Sequence, residues 1–262
     1  MTVLSFIACR MFEDEIVHII ENDQDIRRII VVDNEDRGGL TGKLDAAGCT
    51  YELLPLFSIP PKSENGGEGE MTLIIHMLEL ALHASPDNLR KVVYDKTEEL
   101  SGYADGILLF YGLCGNVLGK VEEDFRSNSC TVRILKEENG DVVDDCIGAV
   151  LGGRAAYLKK LTGSGGVGTF FMTPMWAAHW REMLVAAGMT SNPNDIKMSK
   201  FVFDYAGYKN VARMDTGLHY EKDFDSMVEE FAQLFDFNII EMSASPVLIE
   251  KCYRRLCTDV IG

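Results

Sequence analysis

The chain is short of positive charge, which limits the partners it can have. It carries 25 Lys and Arg residues against 41 Asp and Glu residues, a formal net charge of −16 at pH 7. Such acidity argues against a nucleic-acid-binding surface and disfavours contact with anionic membranes. The sequence also lacks a secretory signal and any apolar run long enough to span a bilayer. We therefore expect a cytoplasmic protein with no nucleic-acid and no membrane partner.

Familiar catalytic motifs are missing as well. The five histidines show no paired spacing, and no Ser-His-Asp or Walker-type pattern occurs. Residues 163–168 spell the glycine fingerprint of dinucleotide-binding proteins, but they follow a predicted helix and precede a predicted strand, the reverse of what that fingerprint requires. A nicotinamide site is therefore not expected. His179 and His219 are candidates for a metal ligand or an acid–base group, with a surface or capping role as the plainer alternative.

Strand-like and helical patterns alternate along the chain. This order predicts a Rossmann-like α/β fold with a mainly parallel sheet and helices on both faces. The 262 residues are interpreted as one α/β domain, or as two lobes, 1–162 and 163–262. Residues 62–70 are the most loop-like segment, and residues 71–84 are predicted to be helical. One long helix after residue 146 is predicted from an apolar stripe at i, i+3 and i+4, made of Ile147, Val150, Leu151, Ala155 and Leu158.

Seven cysteines, an odd number at irregular spacings, do not indicate a disulfide framework. Three of them occupy positions where this fold class places functional groups. Cys9 and Cys114 end predicted strands, and Cys146 lies in the first turn of a predicted helix. Strand ends and helix N-termini meet at one edge of an open parallel sheet, so the three thiolates are expected to converge there. Core packing is the alternative for each cysteine taken alone.

Three thiolates with a vacant fourth position suit two kinds of metal centre. We prefer an iron–sulfur cluster with one open iron, and a zinc ion is the alternative. Asp144 or Asp145 is expected to cap the helix of Cys146, whose N-terminus should lower the pKa of the thiol. No motif supports a corrinoid site, although a bound corrinoid remains compatible with the sequence.

The neighbours of the cysteines are expected to bind the centre or its substrate. Gly112 and Gly115 leave space beside the sulfur of Cys114, and Gly115 can adopt a positive φ that turns successive amides toward an anion or a cluster sulfide. Asn116 belongs to the same turn, for which a purely steric need for glycine is the alternative. Arg154 is expected to pair with an anionic substrate or with the charge of the centre.

Several of these segments together resemble one family of uncharacterised proteins, domain of unknown function 1638. The matching runs appear in family order and span most of the chain: 7–9, 111–116, 145–147, 151–154 with Tyr157, 168–174 with Trp176, and 215–218. The chain departs from the family pattern at Met175, where glycine precedes the tryptophan, and at Asp144, where histidine is common. The resemblance implies a link to methanogens and other anaerobes, and to corrinoid-dependent methyltransferases for methylated amines.

The leading hypothesis is therefore a cysteine-ligated metalloprotein of one-carbon or corrinoid-linked methyl metabolism, with Cys9, Cys114 and Cys146 as metal ligands. One alternative is a non-enzymatic accessory or chaperone protein that binds a corrinoid protein or methyltransferase. Another is a zinc-dependent thiol methyltransferase. A small-molecule substrate is compatible with the first and the last. The sequence does not decide whether the protein is an enzyme.

Overall fold

The computed structural model describes residues 2–62, 70–163 and 166–262. Its larger sheet has six parallel strands in the order β3-β2-β4-β1-β5-β6. These strands are β1 Thr2–Cys9, β2 Ile26–Val32, β3 Glu52–Leu54, β4 Met71–Leu78, β5 Gly106–Phe110 and β6 Thr131–Ile134. The helices connected with it are α1 Glu13–Asn22, α2 Gly38–Ala46, α3 Pro86–Ser101, α4 Val121–Asp124, α5 Cys146–Val150 and α6 Arg154–Thr162.

A second, smaller parallel sheet follows in the chain. Its strands, in the order β7-β8-β9, are β7 Gly168–Met172, β8 Tyr208–Asp215 and β9 Asn238–Ser243. The helices α7 Pro174–Ala186, α8 Ile196–Tyr205 and α9 Phe224–Phe235 accompany it, and α10 Val247–Ile261 completes the described chain. The predicted Rossmann-like α/β class with a mainly parallel sheet is confirmed.

Helices cover both faces of the larger sheet, as the alternation of side chains along β1 shows. The ring of Phe6 packs on that of Tyr253 of α10, 5.7 Å between centroids. Ile7 points to the opposite face and is in register with His76 of β4. Burial lowers the pKa of His76, and the nearby charges of Lys96 and Glu99 of α3 also act on it. Since α10 and α3 lie on opposite faces, the strands between them are buried on both sides. This explains their continuous apolar runs.

The prediction of a helix over residues 71–84 is wrong for its first half. Met71–Leu78 forms β4, and every one of its residues is buried. A short apolar run of this kind fits a buried strand and a buried helix equally well by periodicity. This segment forms a strand because it lies between β2 and β1 and hydrogen-bonds to both.

The single long helix predicted after residue 146 is also wrong. The segment forms two helices, α5 and α6, separated at Gly152 and Gly153, which have φ angles of 85° and 114°. Only glycine adopts such angles readily, so the pair ends one helix and starts the next in a new direction. Leu158, which the stripe predicted to be buried, is 61% exposed. The predicted loop over 62–70 lies for the most part outside the described residues.

The last helix of the described chain, α10, packs against the first sheet. Gly106 of β5 gives it room, because a Cβ there would lie 2.6 Å from Cγ2 of Val260 and 2.9 Å from Cδ1 of Leu256. Polar contacts to α1 and the residue after it support the same placement: His18 Nε2 lies 2.8 Å from Glu250 Oε1, and Tyr253 donates to Asp23 at 2.6 Å. The division into lobes near residue 163 stays a prediction. Among the described residues, no helix is both long and apolar enough to cross a membrane.

We predict that Leu256→Ala destabilises the protein by about 2–5 kcal/mol, because it leaves a cavity between α10 and β5. Urea unfolding followed by circular dichroism measures the change. The control is Ile261→Ala in the same helix, a residue that is 64% exposed and should shift the free energy of unfolding by less than about 0.5 kcal/mol. Equal effects of the two substitutions would contradict the packing of α10 described above.

Candidate metal centre

The three predicted cysteines lie at the carboxyl edge of the larger sheet or beside it. Cys9 is the last residue of β1, and Ala8 is in register with Phe110 of β5. Because neighbouring parallel strands run in step, Cys9 is level with Tyr111 and their side chains leave the same face of the sheet. The turn that carries Cys114 begins immediately after Tyr111.

A close backbone contact joins this turn to the segment before Cys146. The amide of Leu113 donates to the carbonyl of Val143 at 2.8 Å, and the amide of Cys114 donates to the carbonyl of Asp144 at 3.2 Å. Gly112 permits the approach, because a Cβ on it would lie 2.5 Å from the oxygen of Val143. The predicted need for glycine at residue 112 is thus steric, and its result is that Cys114 and Cys146 lie on adjacent loops.

The turn at Cys114 has an unusual backbone. Cys114, Gly115 and Asn116 have φ angles of 45°, 80° and 66°, three successive residues in the left-handed region. For glycine this is ordinary, but for a residue with a side chain it costs roughly 1–2 kcal/mol. Such strain persists where the surrounding structure imposes it, and it concentrates at functional sites. The positive φ predicted for Gly115 is confirmed.

Cys146 is held between a helix cap and a tryptophan of α7. Asp145 is the N-cap of α5, and its Oδ1 accepts from the amide of Gly148 at 2.8 Å, as one of the two predicted caps. Trp176, near the start of α7, donates its indole N–H to Sγ of Cys146 at 3.2 Å. A helix that accompanies the smaller sheet therefore contributes directly to the surroundings of the thiol.

Two properties connect the three thiols. They are electrostatic neighbours, since a charge on Cys114 raises the pKa of Cys9, and charges on Cys9 and Cys114 raise that of Cys146. Each sulfur also accepts one N–H hydrogen bond, from the amides of Met11 and Gly112 and from the Trp176 indole. N–H donors directed at sulfur favour the thiolate form and are among the features that tune thiolate-bound metal centres.

Burial nevertheless dominates the ionisation of these thiols. It raises the pKa of Cys9 to about 12 and that of Cys114 to about 11. The pKa of Cys146 is raised well above its usual value, by burial first and by Asp145 next. The prediction that the helix N-terminus lowers the pKa of Cys146 is therefore wrong in direction. Without a metal all three thiols are neutral at physiological pH, and a bound metal ion would have to displace their protons.

Arg154 lies at the rim of this region. It begins α6, its side chain is 54% exposed, and its Nε lies 3.0 Å from Oδ1 of Asp144. It also lines a cavity of about 670 Å³ together with Leu113 and Asn116. A role in binding an anion stays a prediction. Within residues 2–62, 70–163 and 166–262, no three His, Cys, Asp or Glu side chains are arranged to hold a metal ion. The metal role of the cysteines also stays a prediction.

Sequence reasoning missed Tyr111, the most unusual polar group at this edge. Its side chain is 1% exposed, and its hydroxyl has no hydrogen-bond partner among the described residues. Leaving such a group unpaired costs about 1–3 kcal/mol. Burial raises the pKa of this phenol well above its usual value, with smaller contributions from Cys9 and Cys114. The feature that could have indicated Tyr111 is its position directly after β5, level with Cys9.

A buried charged cluster next to Cys9 was missed as well. Lys43 of α2 lies 3.3 Å from Glu13, 2.7 Å from Asp14 and 3.7 Å from Glu221, between Nζ and a carboxylate oxygen in each case. Its Nζ also contacts the sulfur of Met175 in α7. The cluster thus connects α1 and α2 with α7 and with the segment between β8 and α9. The run of three acidic residues only four positions after Cys9 was the signal for it.

Arg10 extends this cluster toward α7. Its guanidinium lies 3.4 Å from Oε1 of Glu13 and 3.3 Å from Nε2 of His179. His179 has non-helical φ and ψ angles of −123° and 16° within α7, and burial lowers its pKa. The structure therefore places His179 against Arg10, the residue after Cys9. Whether it is a metal ligand stays a prediction.

Fold and site together define a Rossmann-like α/β protein in which Cys9 lies buried at the carboxyl edge of the larger parallel sheet, with the half-buried Cys114 and Cys146 on adjacent loops beside it. The chain belongs to the family described as Protein of unknown function (DUF1638), whose model matches residues 77–253. The resemblance found in the motifs is thereby confirmed. Cys114, Cys146 and Arg154 lie within the matched range, and Cys9 lies before it. No curated protein and no solved structure matches the chain.

We predict that the thiols of the metal-free protein react slowly with iodoacetamide. At pH 8, a pKa of about 11 gives Cys114 roughly a hundredfold smaller thiolate fraction than an unperturbed thiol with a pKa near 9, and the rate should rise with pH up to about 11. Site-resolved mass spectrometry after treatment with chelator and reductant measures it, with the urea-unfolded chain as control. Equal rates at Cys114 in the folded and unfolded chains would contradict the raised pKa.

Glu15 should make stability depend on pH near neutrality. Burial raises its pKa from 4.5 to about 8, and its Oε2 has no hydrogen-bond partner among the described residues. Folding therefore favours the protonated form, so the contribution of Glu15 is present in full below about pH 4.5 and is lost as the pH rises through 8. In Glu15→Gln, the loss of unfolding free energy between pH 5 and pH 8 should be smaller.

Urea unfolding at the two pH values measures this difference. The control is Glu52→Gln, because the hydrogen bond from Arg28 lowers the pKa of Glu52 and keeps it ionised throughout the window. That substitution should leave the dependence between pH 5 and pH 8 unchanged. A Glu15→Gln protein with the same dependence as the unsubstituted chain would show that Glu15 ionises normally.

Proposed function

We propose that the protein is a metalloprotein in which Cys9, Cys114 and Cys146 hold an iron–sulfur cluster. The observation that carries the proposal is that three cysteines from separate elements are electrostatic neighbours and that each accepts an N–H hydrogen bond. Cys9 is buried, and Cys114 and Cys146 are half-buried. Donors of this kind contribute little to a neutral thiol and much more to a thiolate. The donor set, three sulfurs with no fourth cysteine assigned to them, suits a cluster with one open iron.

A cluster is preferred over zinc because a cubane distributes its ligands over separate irons. It therefore accepts thiolates from three different loops, whereas one zinc ion draws all of them onto a single centre. When bound, the cluster would supply electron transfer or a Lewis-acidic iron. The protein would supply shielding from water, N–H donors to the sulfurs and the cation of Arg154 at the rim.

The wider setting of the proposal is one-carbon metabolism in the cytoplasm of an anaerobe, linked to corrinoid-dependent methylamine methyltransferases. It rests on the family resemblance alone. A reducing cytoplasm is compatible with it, because none of the seven cysteines, all of which the structure describes, forms a disulfide. The partner would be a corrinoid protein or methyltransferase, or the centre would act on a small molecule directly.

The test is anaerobic purification followed by determination of iron, acid-labile sulfide and zinc per chain. We expect iron and sulfide with absorption in the visible, and loss of both in Cys9→Ser, Cys114→Ser and Cys146→Ser. The matched control is Cys49→Ser, since Cys49 is half-buried and lies outside the cluster of three thiols. Colourless protein that contains zinc would favour the thiol methyltransferase alternative.

A folded protein without any metal would overturn the proposal. It would leave the accessory or chaperone role, which the net charge of −16 and the absence of an acid–base motif favour. The cysteine variants separate these two roles. They should retain binding to a corrinoid methyltransferase if the protein is an accessory factor, and they should lose function if the cysteines hold a working centre.

A further inference from the structure

A cavity of about 1270 Å³ opens beside β6 and is lined by residues other than Cys9, Cys114 and Cys146. Strand β6 is the last strand of the larger sheet on this side, and it lines the cavity together with one face of α10. Cys252 of α10 fixes these two walls to each other. Its Sγ accepts from the amide of Lys136 at 3.3 Å and donates to the carbonyl of the same residue at 3.2 Å. The volume is sufficient for a ligand of cofactor size.

Two arginines in the wall of this cavity have no ion-pair partner. Five Lys and Arg residues line the cavity, and three of them are paired with carboxylates: Lys136 with Glu122, Lys251 with Glu138 and Arg133 with Asp259. Arg126 and Arg255 have no carboxylate within ion-pair distance among the described residues. Arg255 lies four positions from both Lys251 and Asp259, so it shares their face of α10, which is turned toward β6.

The rest of the lining suits a ligand that is both anionic and partly apolar. Phe125, Ile134 and Val150 are 8%, 2% and 3% exposed and provide apolar surface. Two further carboxylates line the cavity: Glu123 is exposed, and Glu137 accepts from the first backbone amide of α6 at 2.8 Å. Ligand sites commonly combine apolar walls with a few polar groups that fix the orientation of the ligand. An inorganic ion alone would leave the apolar surface uncovered.

We propose that this cavity binds a small organic anion, a carboxylate or phosphate attached to an apolar body, and that Arg255 and Arg126 pair with its charged group. The planar guanidinium matches the geometry of both head groups. Because the chain carries a net charge of −16, it repels anions in general, and the affinity has to come from these local contacts. The site is independent of the metal centre proposed above.

The test uses anilinonaphthalene sulfonate, an anion with an aromatic body whose fluorescence rises when it leaves water, and its uncharged analogue phenylnaphthylamine. Arg255→Gln and Arg126→Gln should each weaken binding of the sulfonate about tenfold and leave binding of the analogue unchanged. The matched control is Arg254→Gln, the neighbouring residue on α10, whose side chain is 78% exposed and lies 3.8 Å from Glu250. It changes the net charge equally and should leave the affinity for the sulfonate unchanged.

Displacement of the bound sulfonate distinguishes the two head groups. Decanoate and decyl phosphate share an apolar chain, and both should displace it, the stronger competitor identifying the preferred head group, whereas decanol should not. The inference is wrong if the unsubstituted protein does not bind the sulfonate, or if Arg255→Gln binds it with unchanged affinity. It is equally wrong if Arg254→Gln weakens binding as much as Arg255→Gln does, since the effect would then reflect net charge alone.

Discussion

The close backbone contact at Gly112 is the constraint on which the candidate site depends. Two amide-to-carbonyl hydrogen bonds tie Leu113 and Cys114 to the segment before Cys146, and they form only because residue 112 has no side chain. Independently of this contact, β1 ends in Cys9 at the same edge of the sheet. One tight approach between two loops thus brings Cys114 and Cys146, which are distant in sequence, onto adjacent loops beside the edge at which β1 ends in Cys9.

Burial and charge act against each other around this contact. Burial disfavours ionisation of the three thiols, although each has an N–H donor that favours its thiolate form. The hydroxyl of Tyr111 lies near Cys9 and Cys114 and has no hydrogen-bond partner among the described residues. The helix α7 takes part through Trp176, and the ion pairs of Lys43 with Glu13, Asp14 and Glu221 connect α1 and α2 with the segment after β8. Desolvation outweighs these donors, so the three thiols of the metal-free protein are neutral at physiological pH.

The sequence predicts the fold class and the position of Cys9 at the end of a strand, because alternating patterns and strand ends are local features of the chain. It fails where the outcome depends on distant contacts. Met71–Leu78 forms a strand because of its two neighbours, not because of its own periodicity. The raised pKa of Cys146 and the unpaired hydroxyl of Tyr111 follow from burial by segments far along the chain. Neither feature can be predicted from the spacing of residues in the sequence.

The placement of α10 has a consequence for how the protein comes to be folded. The helix closes the face of β5 at Gly106, and its partners on α1 and beyond are separated from it by 230 and 232 positions in the sequence. When the ribosome has synthesised all six strands of the larger sheet, α10 has not yet been made and does not cover this face. Its apolar surface stays open while the second sheet is synthesised, so chaperone protection during translation matters more here than for a sheet sealed by its own local helices.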